Sequence, residues 1–524
     1  MKRIILLALA ALPFAVQAQD TYLNDRATNT SDVIGTARYV GMGGAMGALG
    51  ADISTISNNP AGIGLMRRGT ISFTLGGQIN DAKPVFGDSR GSFSFDQIGF
   101  VFPFGDVGDD TRLNFAFNYQ KRINYNQGIF VSQNLGGLSQ GDMFAWIANS
   151  TFQTNKEGQY YFASPFYDNL YQAGFFSEFT NVQGDTYFRN TNAGQTGYYY
   201  RNSSGSLQGF DFNLSGSAQD RWFWGVTFGI DHMNYKHAAS YEEVGDDSYI
   251  LYQDQKLKGV GFNVKAGVIV RPIEDSPFRF GLAVETPTWY ALKHTGLAAL
   301  SVLNEQGKYT QASYMDDDNY LEYNLYAPWK LRASLGSTIG NYFAWDVEYE
   351  YSMNQFTKMG YPDSDNNYHG SSISMSKDLA MNEMTKANIR GVHNVRAGFE
   401  VKPIQQLALR AGYNFFSKPY KKDARLDQTC NTPAYDWSTS TEYINLGATH
   451  LFTLGIGYQG KHLYVDVAYK YRVQRGDYYS FDDHFTTLNE SFIDENPQLA
   501  GQMLTPTEVN LDRHNIAATV GFRF

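Results

Sequence analysis

The stretch that decides the architecture runs from 449 to 473. It reads Thr449-His450-Leu451-Phe452-Thr453-Leu454-Gly455-Ile456-Gly457-Tyr458-Gln459, then Gly460-Lys461, then His462-Leu463-Tyr464-Val465-Asp466-Val467-Ala468-Tyr469-Lys470-Tyr471-Arg472-Val473. In its second half Leu463, Val465, Val467, Tyr469, Tyr471 and Val473 take every other position, with Asp466, Lys470 and Arg472 between them. A period of two is a β-strand with one apolar and one polar face. Two such runs joined by a brief connection form an antiparallel hairpin.

Working outward, the same alternation recurs from Gly69 onward. It appears near 70–79, 92–102, 113–120, 206–216, 221–232, 258–271, 278–286, 329–339, 342–352, 393–402, 406–416 and 515–524, which makes fourteen strands in all. The connections sort by parity. Those after even-numbered strands are short, as at Ala218 to Asp220 and Gly340 to Asn341; those after odd-numbered strands are long, as at 122–205, 233–257 and 287–328. An even count of strands of about ten residues with alternating short and long connections is the pattern of a transmembrane β-barrel. A soluble sandwich or propeller also alternates, but has no reason to sort its loops. The expected fold is therefore all-β: a fourteen-stranded antiparallel transmembrane barrel over 70–524, its apolar face toward lipid. The other face carries charges such as Glu285, Arg332, Glu348, Glu350, Arg396 and Asp466. If Ile339 sits opposite Phe343, Arg332 lies opposite Glu350 and Ser334 opposite Glu348, so mixed charges brace the wall from inside.

Composition agrees. The 524 residues carry 42 Lys+Arg against 52 Asp+Glu, a net charge of −10, with 37 Phe, 37 Tyr, 7 Trp, 51 Gly, 15 Pro and one cysteine, Cys430. That is too aromatic for a disordered chain. An acidic balance without basic clusters argues against nucleic acid as a partner, and a single cysteine excludes an internal disulfide. Lys2 and Arg3, the apolar run Ile4–Val16 and Val16-Gln17-Ala18 read as a signal peptide over 1–18, cleaved before Gln19. No later stretch has the roughly 20 apolar residues of a spanning helix. The expected location is the outer membrane of a Gram-negative bacterium, reached through the periplasm. Membrane lipid and the outer-membrane insertion machinery are the expected partners, the latter reading the aromatic final strand that ends on Phe524.

Residues 19–69 lack strand periodicity and are rich in Gly and small apolar residues from Gly35 to Asp52, leading into Asn58-Asn59-Pro60-Ala61-Gly62. A G-x-G here follows no strand and precedes no helix-opening Lys, so the nucleotide reading is discarded. Gly-rich backbone permits close approach to a barrel wall, and Asn before Pro forms a tight turn. This segment is expected to be a plug in the lumen. In strand two the apolar parity switches from Phe93 and Phe95 to Ile98, Phe100 and Phe102, which demands an extra residue near Asp96 or Gln97, with Gly99 adjacent. That is a bulge signal.

The plug with its Asn59-Pro60-Ala61 turn, the fourteen strands and the aromatic terminus together resemble the long-chain fatty acid transporter family called FadL/TodX. The resemblance implies passive diffusion of hydrophobic molecules across the outer membrane through a capture groove, an internal pocket gated by the plug and a lateral wall opening. Asn58, Asn59, Pro60, Ala61 and Gly62 then form the gate. The family's kink lies in the third strand, whereas Leu113 to Lys121 here contains neither Gly nor Pro, and the lateral opening is placed at the bulge of Asp96, Gln97 and Gly99. In the long loops Phe175 and Phe176, and Leu300 and Leu303 in the apolar run 297–303, are read as a capture patch.

Other chemistries find less support. The nine histidines show no H-E-x-x-H or close pair, Asp363, Asp365 and Asn367 are followed by Tyr368 where a calcium loop needs Gly, and no nucleophile elbow is present. No enzyme activity, metal or cofactor is expected. A haem or porphyrin receptor using His237, His294 or His369 in outer loops, and a general porin or structural barrel, remain the alternatives. A plug of about 50 residues argues against an open porin.

Overall fold

The computed structural model describes residues 20–29, 32–81, 91–105, 111–154, 160–162, 180–183, 186–189, 193–244, 249–303, 309–314, 320–362, 375–426 and 439–524. Fourteen antiparallel strands form one closed barrel. They are β1 (Thr70–Asn80), β2 (Gly91–Phe104), β3 (Thr111–Asn124, continued by Gln127–Asn134), β4 (Thr196–Ala218), β5 (Trp222–Val244), β6 (Tyr249–Val270) and β7 (Arg279–Glu285, continued by Trp289–Leu303). The circle goes on with β8 (Leu321–Tyr326 and Lys330–Ile339), β9 (Phe343–Ser352, with Lys358–Pro362 beyond it), β10 (Val392–Ile404), β11 (Leu407–Phe416), β12 (Tyr443–Gln459), β13 (Leu463–Tyr479) and β14 (Thr507–Asn510 and Arg513–Arg523). Each strand pairs with the next, and β14 returns to β1 with Arg523 opposite Thr70 and Arg513 opposite Asn80. Arg332 lies opposite Glu350 and Ser334 opposite Glu348, the register expected from the hairpin. Among the described residues no helix is long and apolar enough to cross a membrane.

The lower barrel is inside out relative to a soluble protein. Ile71 and Phe73 on β1, Trp224, Val226 and Phe228 on β5, Leu463, Val465 and Val467 on β13, and Ile516 and Val520 on β14 are exposed on the outer surface. Their alternates Ser72, Thr74, Thr227, Asp466 and Thr519 are buried within. Apolar groups outward and hydrogen-bonded polar groups inward is the arrangement that lipid demands of a closed barrel.

Several strands run much further than the alternation suggested, and of the segment 233–257, expected as a loop, the described residues 233–244 and 249–257 are the upper parts of β5 and β6, paired with each other. β5 and β6 hold 23 and 22 residues. At about 3.3 Å per residue and a tilt near 40° they rise roughly 55 Å, about twice the height of an apolar belt. Polarity inverts partway up. On β5 the outer face changes from Trp222–Phe228 to His232 and Lys236, both exposed, while the inner face changes from Thr227 and Asp231 to Met233, Tyr235 and Tyr241, all buried. Above the belt the outer surface meets water, so the apolar side chains move inside. β7 and β8 are interrupted at the same height, at Pro287 and Pro328, where a missing N–H breaks the ladder.

Inside the barrel lie α1 (Asp20–Thr28), α2 (Ala37–Gly41) and two 3₁₀ turns, Ile53–Ser57 and Pro60–Leu65. The upper end carries α3 (Gln140–Thr151), α4 (Leu379–Asn388), α5 (Phe485–Leu488) and α6 (Glu490–Glu495). Met143, Phe144 and Ile147 of α3 join Tyr241, Leu251, Leu300, Phe485 and Phe492 in one buried apolar cluster.

Candidate functional site

The N-terminal segment meets the wall chiefly through its own backbone, whose polar groups find wall side chains as partners. Asp346 accepts from Ala48 N at 2.9 Å and Leu49 N at 2.8 Å. Asn114 Nδ2 donates to Ile63 O at 2.6 Å and Met66 O at 2.9 Å, Arg279 Nη1 to Leu49 O at 2.7 Å, and Thr453 Oγ1 to Gly41 O at 3.1 Å. Without such partners these buried backbone groups would be left unpaired. Side-chain bonds add to this: Arg38 Nε reaches Glu400 at 3.1 Å, and Lys470 pairs with Asp32.

The Asn-Pro-Ala turn is built locally. Asn59 caps the second 3₁₀ turn, its Oδ1 accepting from Ala61 N at 3.2 Å, and Pro60 at the first position needs no hydrogen-bond partner for nitrogen. Gly62 N bonds Asn59 O at 2.9 Å, and Gly62 O accepts from Ala51 N at 2.9 Å. Asn58 Nδ2 reaches Glu348 Oε1 at 3.2 Å, and Asn59 Nδ2 reaches Gly47 O at 2.8 Å and Val268 O at 3.4 Å. The turn therefore lies against β5 to β7, where a Cβ on Gly267 would collide with Asn59 Oδ1. Ala61 packs with Phe223 and Ile269. The turn therefore stands at another sector of the wall than the bulge of Asp96, Gln97 and Gly99. On the outer surface of that sector is an apolar depression of about 850 Å³ lined by Trp224, Val226, Ala266, Val268, Leu282 and Tyr349.

At the bulge itself, the register of β2 on β1 passes from Gln97 opposite Thr74 to Phe95 opposite Leu75 and skips Asp96. Asp96 accepts from Ser94 and lies 3.7 Å from Lys121 Nζ. Gln97 Nε2 bonds Asn118 at 2.9 Å and Ser72 Oγ at 3.0 Å. A Cβ on Gly99 would be 2.6 Å from Ile53 Cδ1, so the N-terminal segment closes on this region from inside. Two further features were not legible beforehand. β2 pairs with β1 up to Gly91, but with β3 only from Phe104 up to Gln97 opposite Gln120, so among the described residues its upper part parts from β3. β3 has its own irregularity: its register on β4 skips Arg122, which pairs with Asp211 and lies 3.8 Å from Asp231. A small void of about 20 Å³ touches Val33 and Ile34 inside, Asp96 at the bulge, and Gly77 and Ile516 of the outer face.

Two cavities flank the N-terminal segment. The upper, about 120 Å³, has apolar walls from Ile123, Tyr125, Phe416 and Leu511, with Arg26, Arg201 and Arg513 also reaching it. The lower, about 100 Å³, is lined by groups such as Asn58, Lys265, Glu285, Arg332 and Arg396. Around it the charges pair: Arg332 Nη2 with Glu285 at 2.7 Å, Arg332 also with Glu350, Arg396 with Glu348 and with Glu350 at 3.3 Å, and Lys265 with Asp211 at 3.1 Å.

Of the expected capture patch, Phe175 and Phe176 lie outside the described residues, as do the signal peptide, Cys430, the 363–367 acidic run and His369. Leu300 and Leu303 are on the upper part of β7 rather than in a loop, and Leu300 is wholly buried opposite Leu251. His237 and His294 are likewise buried in strands, not in outer loops; Arg26 Nη1 is 3.3 Å from His237 Nδ1. No cluster of three or more potential metal ligands occurs among the described residues.

No protein-family model matches the chain, and no curated protein matches it in sequence. Among solved structures it is similar to a Pseudomonas aeruginosa FadL homologue at 12% identity and a TM-score of 0.51, over 95% of this chain and 100% of that one. It overlaps less closely with the monoaromatic hydrocarbon channel CymD (11% identity, TM-score 0.48, 95% and 99% covered) and the Ralstonia pickettii toluene transporter TbuX (12%, 0.47, 94% and 98%). The chain thus has the fold of the FadL homologue: a closed fourteen-stranded transmembrane β-barrel of the outer-membrane type.

Proposed function

We propose that this protein is a passive transporter of hydrophobic compounds, such as long-chain fatty acids or aromatic hydrocarbons, across the outer membrane of a Gram-negative bacterium. It works without a catalytic step. Residues 19–69 act as the plug and Asn58 to Gly62 as its gate. The observation that carries this reading is the inner lining of the upper barrel, where Leu207, Met233, Leu257, Tyr290, Leu292, Tyr323 and Met359 form one apolar cluster with Leu23 and Ala27 of α1. A general porin lines its path with polar groups, and such a lining offers a polar solute nothing.

The compound leaves the upper cavity beside the N-terminal segment and exits sideways, where β2 parts from β3 above Gln97 and Asp96 bulges out of the ladder. The wall beside the Asn-Pro-Ala turn is less suited to an exit, because β5, β6 and β7 keep an unbroken register there. Opening that wall would cost several buried backbone hydrogen bonds.

Single-channel conductance and uptake of a fluorescent fatty acid or of toluene, measured on the purified Asn59→Ala, Pro60→Ala variant, test the gate. The variant is expected to assemble as a heat-modifiable barrel that leaks small polar solutes or loses hydrophobic uptake. Wild-type values in both assays would remove the gating role of the turn. A wild-type barrel that speeds uptake of neither compound would remove the transport reading itself.

A further inference from the structure

The outer face of β9 to β14 repeats one device three times. Tyr349 Oη lies 2.7 Å from His393 Nδ1 across β9 and β10. Tyr413 Oη lies 2.8 Å from His450 Nδ1 across β11 and β12. Tyr469 Oη lies 2.6 Å from His514 Nδ1 across β13 and β14. In each case the histidine stands directly opposite a second aromatic, Tyr351, Phe415 or Tyr471. All three pairs face outward at the top of the apolar belt, just above Val395, Phe452 and Ile516. With the phenol donating to Nδ1, the imidazole proton sits on Nε2 and points away from the pair. The third copy shows what that edge donates to, since His514 Nε2 is 3.2 Å from the Asp81 carboxylate.

Immediately above two of these pairs the chain, acidic as a whole, gathers cations. His393 and Ser417 exchange backbone and side-chain bonds at 2.9 Å. From there Arg390 Nε donates to Lys418 O at 2.8 Å, and Lys421 Nζ to Lys386 O at 2.7 Å, drawing the ends of α4 and β11 together. Lys386, Lys418, Lys421 and Lys422 are exposed with Arg390 half-buried among them, against the exposed acids Glu383 and Asp423. Read upward, one strip passes from apolar side chains through tyrosine–histidine pairs to ammonium groups. That is the profile of an amphiphile standing beside it, acyl chains below and an anionic head above.

We propose that this strip is a docking surface for the phosphate groups of a glycolipid in the outer leaflet, with the tyrosine–histidine pairs setting headgroup level and the lysine cluster neutralising the phosphates. The proposal rests on the outer-membrane reading and is independent of what the lumen carries. Native mass spectrometry of the full protein in mild detergent, titrated with bisphosphorylated lipid A, its dephosphorylated form and phosphatidylglycerol, tests it. The wild type should favour bisphosphorylated lipid A, and Lys386→Gln, Lys418→Gln, Lys421→Gln and Lys422→Gln together should weaken that binding at least about tenfold while leaving the dephosphorylated form unaffected. Arg68→Gln with Lys461→Gln, at the opposite end of the barrel, should change neither. Equal binding of the two lipid A forms, a preference for phosphatidylglycerol, or unchanged binding by the assembled quadruple variant would overturn it. Since no uptake is measured, such a failure leaves the transport reading standing.

Discussion

The lower and upper halves of the lumen face the same axis and are lined by alternate residues of the same strands, yet they are built on opposite principles. In the lower half Arg332, Arg396 and Arg410 are held by Glu285, Glu348, Glu350, Glu400 and Asp466, with Asp346 bonded to the backbone of the N-terminal segment. In the upper half the inward positions of β4 to β7 carry Leu207, Met233, Leu257, Tyr290 and Leu292. The surroundings outside the wall explain the contrast. Where lipid lies outside, apolar residues are drawn outward and the interior keeps the polar groups; where water lies outside, the wall behaves as any soluble sheet does. The lower half fixes register and holds a segment of chain through paired charges, and it is the upper half that, in the proposed transport reading, receives the apolar molecule.

The largest expected effect comes from breaking the lower half. Arg396→Met leaves Glu348 and Glu350 short of a partner in a buried site, and losing one member of such a pair costs about 3 to 5 kcal/mol. The midpoint of the heat-modifiability transition should fall well below wild type. Adding Glu348→Leu should recover part of that loss, and a double variant no better than the single would mean that the pairs are not coupled. Next comes the upper half: Leu257→Asn with Leu292→Asn places unpaired amides in the apolar cluster, at about 1 to 3 kcal/mol each. It should reduce uptake of a fatty acid severalfold while the lower barrel still assembles; normal uptake would detach the upper lining from transport.

The smallest effect concerns the border between the halves, where burial raises the Asp25 carboxyl of α1 to about 6 against the opposing hydrogen bonds of Tyr420 and Asn29. The folded state then holds a proton that the released helix gives up, so α1 is seated most firmly below about pH 4 and loosens as pH rises through about 6. Limited proteolysis of the N-terminal segment across that window should show rising cleavage. Asp25→Asn, which mimics the protonated acid, should flatten the dependence, and an unchanged slope would assign it to another group.

Most of the belt could be read from residues alone. Each of the fourteen alternating runs, from Ile71–Leu75 to Ile516–Phe524, occurs as a wall strand, and the parity switch between Phe95 and Ile98 corresponds to the skipped Asp96. The upper wall was not legible, because the apolar residues of β4, β5 and β6 change parity at 207–210, 230–233 and 257–260. A reading by period takes such a change as the end of a strand. The run Leu297–Leu303 misled in the same way. Buried on its inner face at Leu300 and more open at Leu297, it is a wall strand whose composition resembles that of a greasy loop.

By itself the sequence determined the strand count, the antiparallel hairpin order, the inward and outward sets of the belt and the register of hairpins such as β8–β9. All of these follow from a period of two and from connection length, which are local properties. Only the tertiary structure decided where the Asn59-Pro60-Ala61 turn lies, that β2 separates from β3 above Gln97, and which carboxylates hold the N-terminal segment. These depend on contacts between residues far apart in the chain: Ala48 and Asp346 are 298 residues apart, and Lys470 and Asp32 are 438 apart. No spacing in a sequence records such a meeting, because it exists only once the closing of β14 on β1 has set the diameter of the barrel and so the distances between its inward-facing residues.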